Sequence, residues 1–228
     1  MPDQTVTGVV LKRQESGETS RRLIVFSREL GKIDVIAKGA RKGGSRLAGI
    51  SEPLILASIH FAAGKQRRFV TQAQPQTSFP RLREDYDRLM AGLAFLELTD
   101  AIVPWETPAP EEFDHLCATL KHLDGGGNIE ACTIWALTKW LELEGILPKW
   151  RTCADTGAHI DTARVLYSPI EGGSVVESRR EGHAGLIAVS DAAMIALERI
   201  IELPEPPTNI KAAQECLDVL AATWRATL

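Results

Sequence analysis

The chemistry-bearing residues of this chain concentrate in one short segment, Lys38-Gly39-Ala40-Arg41-Lys42-Gly43-Gly44-Ser45-Arg46, which holds four cations and three glycines. Cations at this density, at the end of a strand pattern, suit gripping a phosphate backbone without reading bases. The glycines give a superficial likeness to a nucleotide-binding P-loop, but the Gly-Lys-Ser/Thr ending is missing and the context is all strand. Lys38, Arg41, Lys42 and Arg46 are the leading candidates for phosphate contact, with Arg21 and Arg22 next. Lys65, Arg67 and Arg68 lie near strand ends and extend the same surface. Taken alone, the segment also fits a solvated surface loop.

The charge around it favours the first reading. The chain has 228 residues and a net charge of -4. Residues 1–80 hold 13 Lys/Arg against 6 Asp/Glu, a net of +7, and residues 81–228 carry a net of -11. A basic module joined to an acidic one points to a polyanion partner at the N-terminal end, or to two domains that attract each other. Aromatic residues are sparse in the basic half: Phe26, Phe61 and Phe69 fall in strand patterns and read as core. Electrostatic grip is therefore expected to dominate over base stacking, with weak sequence preference and strong salt dependence.

Catalytic patterns are thin. The five histidines, His60, His115, His122, His159 and His183, form no recognisable motif, and there is no G-x-S-x-G, H-E-x-x-H or dinucleotide-binding glycine pattern. The pairs Glu84/Asp85 and Glu111/Glu112 fall where helices begin, a position carboxylates favour through the helix dipole. A metal-dependent nuclease would need a carboxylate cluster in the basic module, which offers only Asp3, Glu15, Glu18, Glu29, Asp34 and Glu52. Cys117, Cys132, Cys153 and Cys216 form no C-x-x-C pair and are expected as reduced thiols. No run of 18 apolar residues and no leader pattern is visible, so a cytoplasmic protein without membrane contact is expected.

The elements that must position the basic segment follow from periodicity. Five strand patterns, Thr5–Leu11, Arg22–Ser27, Lys32–Lys38, Leu54–Ala62 and Arg68–Ala73, predict a small closed or nearly closed barrel, with the oligonucleotide-binding (OB) type as the leading candidate. From residue 81 the period becomes helical. Leu82, Tyr86, Leu89, Leu93 and Leu96 predict an apolar stripe on a helix to about Val103. Further helices are expected over roughly 113–123, 129–144, 191–203 and 209–226, with Ser190 as an N-cap and Gly145 as a stop. Residues 149–188 read as irregular and turn-rich. The fold class is α+β: an OB domain over 1–80, then a helical domain over 81–228.

Specific stretches add a resemblance. Gly17-Glu18-Thr19-Ser20, Val25-Phe26-Ser27-Arg28-Glu29-Leu30-Gly31-Lys32 and Ala37-Lys38-Gly39-Ala40-Arg41-Lys42 resemble the RecO family of bacterial recombination mediators. Ser45-Arg46-Leu47, Glu97-Leu98-Thr99-Asp100 and Gly145-Ile146-Leu147-Pro148 before Cys153 continue it in order. The resemblance implies a non-enzymatic, nucleoid-associated DNA-repair mediator that binds single- and double-stranded DNA and anneals complementary strands. It also implies contact with RecR and with SSB, whose acidic tail ends in apolar residues, and help in loading RecA. The alternative is an OB-fold RNA-binding or ribosome-associated protein. Many family members carry a four-cysteine zinc module, but here Thr156, Val176 and Arg179 stand in three ligand positions beside Cys153. One thiolate cannot hold a tetrahedral zinc, and substitution by Asp155, His159, Asp161 or His183 is the weaker reading. No metal and no cofactor are expected, and residues 149–188 read as a degenerate zinc-finger-like insertion packed around Trp150, Leu166 and Tyr167.

Overall fold

The computed structural model describes residues 3–64, 67–161 and 164–228, apart from the side chains of Ala63 and Arg179. The chain divides into two compact units, one ending at Gly125 and one running from Gly126 to Leu228. The first holds β1 (Gln4–Ser16), β2 (Ser20–Ser27), β3 (Gly31–Ala37), the short α1 (Leu47–Ile50), β4 (Leu56–Ala63) and β5 (Arg68–Thr77). Helices α2 (Pro80–Glu84), α3 (Tyr86–Ile102) and α4 (Pro110–Asp124) complete it. The strands close in the order β1-β2-β3-β5-β4, antiparallel except for the parallel β3–β5 pair, with β4 returning to β1. This is the five-stranded OB barrel that the alternating residues predict. Val10, Val25, Ile33, Val35, Ile59 and Phe61 fill its interior.

β2 does not alternate between water and core: Leu23 to Ser27 are all buried. A strand covered on both faces reads as a continuous apolar run, and the outer cover is helical. Phe26 meets Phe113 of α4 edge to face, with ring centroids 5.6 Å apart. Lys32, on the buried β3, is the unusual member of this contact. Its ammonium donates to the Asp100 carbonyl at 2.5 Å, lies 3.4 Å from the Asp100 carboxylate and sits 4.8 Å from the centre of the Trp105 ring. The Glu106 N–H donates to the Lys32 carbonyl, laying the segment after α3 along the edge of β3. Beside it, Gly31 adopts φ +71°, and a Cβ there would come within 1.9 Å of the Thr107 carbonyl oxygen. Only glycine permits that approach.

Two details in this unit differ from the periodicity. The helix expected from residue 81 is broken at Asp85, which is extended and caps α3 by accepting from the Arg88 N–H at 3.0 Å. A local side-chain cap satisfies an otherwise orphaned donor and ends the continuity. Tyr86, expected in the apolar stripe, is 74% exposed because it starts the new helix beyond the packed face.

The second unit contains α5 (Ile129–Leu143), β6 (Lys149–Cys153), β7 (Arg164–Ser168), β8 (Gly173–Val175), β9 (Ile187–Ser190), α6 (Asp191–Ile200) and α7 (Ala213–Thr227). Gly145 ends α5 at φ +70°, and the Ile146 and Gly145 N–H groups return to the Leu141 and Glu142 carbonyls, a Schellman closure. Ser190 caps α6 through the Ala193 N–H as expected. Residues 149–188, expected to be irregular, instead supply most of a four-stranded sheet ordered β6-β8-β7-β9. Its strands have three to five residues, too short to show a period of two. Trp150 and Tyr167 pack together there with centroids 5.5 Å apart, and the Tyr167 hydroxyl bonds Thr223 at 2.8 Å. Burial pushes that phenol up to about 12. α7 begins at Ala213, later than expected, because Ala212 is left-handed at φ +56°. All four cysteines are buried and none is in a disulfide, and among the described residues no helix is long and apolar enough to cross a membrane.

Asp100 carries the electrostatic load of the barrel–helix contact, pairing with Lys12 at 2.9 Å as well as with Lys32. Its burial raises the carboxyl pKa, but the Lys12 hydrogen bond and the Lys32 charge outweigh this and hold it below the ordinary value. A depressed carboxylate contributes stability that is complete above about pH 4 and is lost as the pH falls further. Asp100→Ala strands the buried Lys32 ammonium and should cost about 3 kcal/mol in urea unfolding at pH 7, whereas Lys32→Met removes the ion and should cost about half that or less. The opposite ranking of the two variants would contradict a charge-pair origin for this contact.

Candidate nucleic-acid interface

The basic segment leaves β3 at the end opposite Lys32. It is more than a solvated surface loop. Ala40 is fully buried in the barrel core, so an apolar plug anchors its middle. The Arg41 N–H donates to the Thr19 carbonyl at 2.9 Å, tying it to the β1–β2 turn. The Lys42 and Ser45 N–H groups close successive turns onto Gly39 and Lys42. Gly39 and Gly44 have φ of +69° and +73°, so the glycines serve turn geometry.

The six expected phosphate-binding residues fall into two groups. Lys38, Lys42 and Arg46 are exposed and have no carboxylate partner among the described residues. The Lys38 ammonium lies 4.0 Å from the centre of the Phe69 ring, which orients it over an aromatic face. The other three are engaged. Arg41 pairs with Glu15 at 3.0 Å. Arg22 pairs with Asp34 at 2.6 Å, the hydrogen bond raising the guanidinium pKa. Arg21 reaches the Ser51 hydroxyl at 2.6 Å, the Ala48 carbonyl at 3.0 Å and Glu52 at 3.0 Å, fastening α1 and the turn after it to the barrel. Among the extending cations, Arg67 is exposed, Arg68 pairs with Glu106 at 2.8 Å, and Lys65 lies outside the described residues.

Phe26 and Phe61 are core residues, but Phe69 is half-buried beneath Lys38. The aromatic that the sequence reasoning missed is Trp105, 49% exposed and held against Lys32. Its position in a proline-rich break between helices, away from the strand patterns, hid it. Arg13 was missed as well. It pairs with Glu52 and joins Arg21 and Arg41 around one small cavity.

The segment corresponding to a zinc module does not fit the metal. The Cys153 thiol is hydrogen-bonded by Thr156, which holds its pKa below the ordinary value. His183 has one ring nitrogen 2.7 Å from Glu171 and the other 3.4 Å from Asp155. The Glu171 hydrogen bond raises its pKa and so favours the protonated form, which cannot ligate. His159 lies in a bridge with Thr152, and Asp161 pairs with Arg151. Among the described residues no three His, Cys, Asp or Glu side chains converge as a ligand set.

A family model described as "Recombination protein O N terminal" matches residues 1–79, and one described as "Recombination protein O C terminal" matches residues 83–220. A "DNA repair protein RecO" of Roseiflexus sp. (strain RS-1) is 34% identical over 167 residues, covering 73% of this chain and 59% of that protein. The protein of the same name from Desulfitobacterium hafniense (strain DSM 10664 / DCB-2) is 35% identical over 167 residues, covering 61% of its length. That of Bacillus cytotoxicus is 32% identical over 189 residues, 83% of this chain and 75% of the relative. The matched region thus spans about three fifths of the first two relatives.

The ligand chemistry around Cys153 generates a direct expectation. Zinc in tenfold excess, or exhaustive dialysis against a chelator, should leave the thermal unfolding midpoint unchanged, because structural zinc contributes folding energy outright. A rise of several degrees on adding zinc would show that the segment still holds the metal.

Proposed function

This chain belongs to the RecO family of DNA repair proteins, and on that premise we propose that its barrel grips DNA backbone through the segment between β3 and α1. The observation that carries the reading is the set of exposed cations Lys38, Lys42 and Arg46 on a hydrogen-bonded platform. Arg41 joins them when phosphate displaces Glu15, whose side chain is 75% exposed and so forms a weak pair. Arg21 and Arg22 contribute from the flank. Contacts of this kind act on single and double strands alike and screen the repulsion between two strands, which is what annealing requires.

A binding role is favoured over catalysis by the carboxylates of the barrel. Glu15, Asp34 and Glu52 each pair with arginine, and among the described residues no three His, Cys, Asp or Glu side chains form a metal-ligand set. The nucleoid is the setting such a role implies, with RecR and the loading of RecA as its wider context. For SSB, the reading needs a pocket with an apolar floor and cations to receive an acidic tail. The second unit has a cavity of about 180 Å³ whose lining includes Ile200, Leu203, Pro207 and Ile210, with Arg199 and Lys211 beside them. We place the tail there.

Two measurements follow. Replacing Lys38, Lys42 and Arg46 with Ala should weaken binding to unrelated oligonucleotides equally and reduce the salt slope by about 2–3, since each phosphate contact contributes about 0.9. Unchanged affinity would remove the segment from the interface. Arg199→Glu with Lys211→Glu should abolish capture of an SSB tail peptide while leaving DNA affinity intact; retained capture would place the tail elsewhere.

A further inference from the structure

We propose that Arg13, Arg21 and Arg41 form a socket for a single phosphate group at the mouth of the barrel, a reading that rests on the DNA-binding role and gives it a discrete site. β1 bulges between Val10 and Lys12, after which Arg13 lies opposite Leu23 and Glu15 opposite Arg21. Leu23 belongs to the barrel core, and residues two apart or directly opposite share a face of the ladder. The inward-facing register therefore changes from Val10, Val25 and Leu23 to Arg13, Glu15 and Arg21 as the hairpin leaves the barrel.

Arg41 arrives from the other side. Its backbone is fixed to Thr19 and its guanidinium to Glu15. Together the three arginines, Gln14 and Glu15 line a cavity of about 180 Å³, room enough for a phosphate. Three guanidiniums face two carboxylates, Glu15 and Glu52, so the cavity keeps one positive charge in excess. Planar guanidinium forks match phosphate oxygens in pairs. Glu15 occupies the Arg41 fork in the manner of a phosphate, and its exposed side chain can swing out when one enters. Arg21 is the socket's fixed wall, since Ser51 and the Ala48 carbonyl also hold it. Arg13 and Arg41 are its movable walls.

The phosphate can come from a diester within a strand or from a terminal monoester, which carries nearly two charges. The test titrates the full chain with inorganic phosphate by calorimetry in chloride buffer. Saturable binding is expected, weakened about tenfold or more in R13Q/R41Q, since charge-assisted pairs are the strong ones. Glu15→Gln should tighten phosphate several-fold by freeing Arg41, a gain that misfolding cannot produce. Absence of saturable binding, or an unchanged affinity in either variant, overturns the socket. Oligonucleotides with 5′-phosphate and 5′-hydroxyl ends separate the sources: a phosphate preference lost in R13Q/R41Q assigns the monoester, and equal affinities both reduced by R13Q/R41Q assign the diester. DNA binding that persists unchanged in R13Q/R41Q, alongside no phosphate binding, overturns the socket and leaves the role of Lys38, Lys42 and Arg46 standing. Phosphate binding without DNA binding supports the socket and overturns the DNA-binding role.

Discussion

A single buried ammonium organises the first unit. Lys32 is the buried charge of a contact whose other ion pairs are more exposed, and burying it is tolerable because the Asp100 carbonyl, the Asp100 carboxylate and the Trp105 face converge on it. Each of those partners lies in α3 or in the segment that follows it. The ion therefore dictates which helix covers β3 and where the chain after α3 runs. The glycine at 31 admits that chain at backbone distance, and Phe26 with Phe113 extends the same covering. A barrel so covered at the Lys32 end can offer a charged surface only elsewhere. β3 has seven residues, so the cations that follow it stand about 20 Å from Lys32 at the usual rise per residue.

The net of +7 in residues 1–80 is consequently not one diffuse field. Lys12, Lys32 and Arg28 are committed to carboxylates of the covering helices. Arg13, Arg21, Arg22 and Arg41 are committed to carboxylates of the barrel unit itself. Arg68 is committed to Glu106, and among the described residues Lys38, Lys42, Arg46 and Arg67 are exposed and hold no carboxylate. This division turns a compositional asymmetry into a geometry: on the proposed reading, a polyanion would meet the exposed cations first and compete with exposed glutamates for the next ones.

The barrel was legible because each strand is long enough to show its pattern and because glycines mark the connections. Which strands close it was not: the parallel β3–β5 pair joins residues more than thirty positions apart over two register pairs, too little to leave a periodic trace. The basic segment was legible as charge but not as structure. Ala40 looks like a spacer between cations and is in fact the plug that fixes them. Arg13, Arg21 and Glu15 read as surface residues of a strand, and only the bulge after Val10 reveals that they continue the inward face. The helix break at Asp85 illustrates the same limit, since an unbroken apolar spacing runs through a residue whose side chain caps the next helix. The small sheet of residues 149–190 lacked any signal beyond Trp150, Leu166 and Tyr167, because its strands have only three to five residues.

The most direct test of the account is the affinity of the intact chain for single-stranded oligonucleotides of unrelated sequence, followed by fluorescence anisotropy across a range of salt concentrations. The account predicts affinities that agree between sequences and fall along one line of log affinity against log salt, with a slope of several units. No binding at low salt, or binding that differs strongly between sequences and ignores salt, would contradict it.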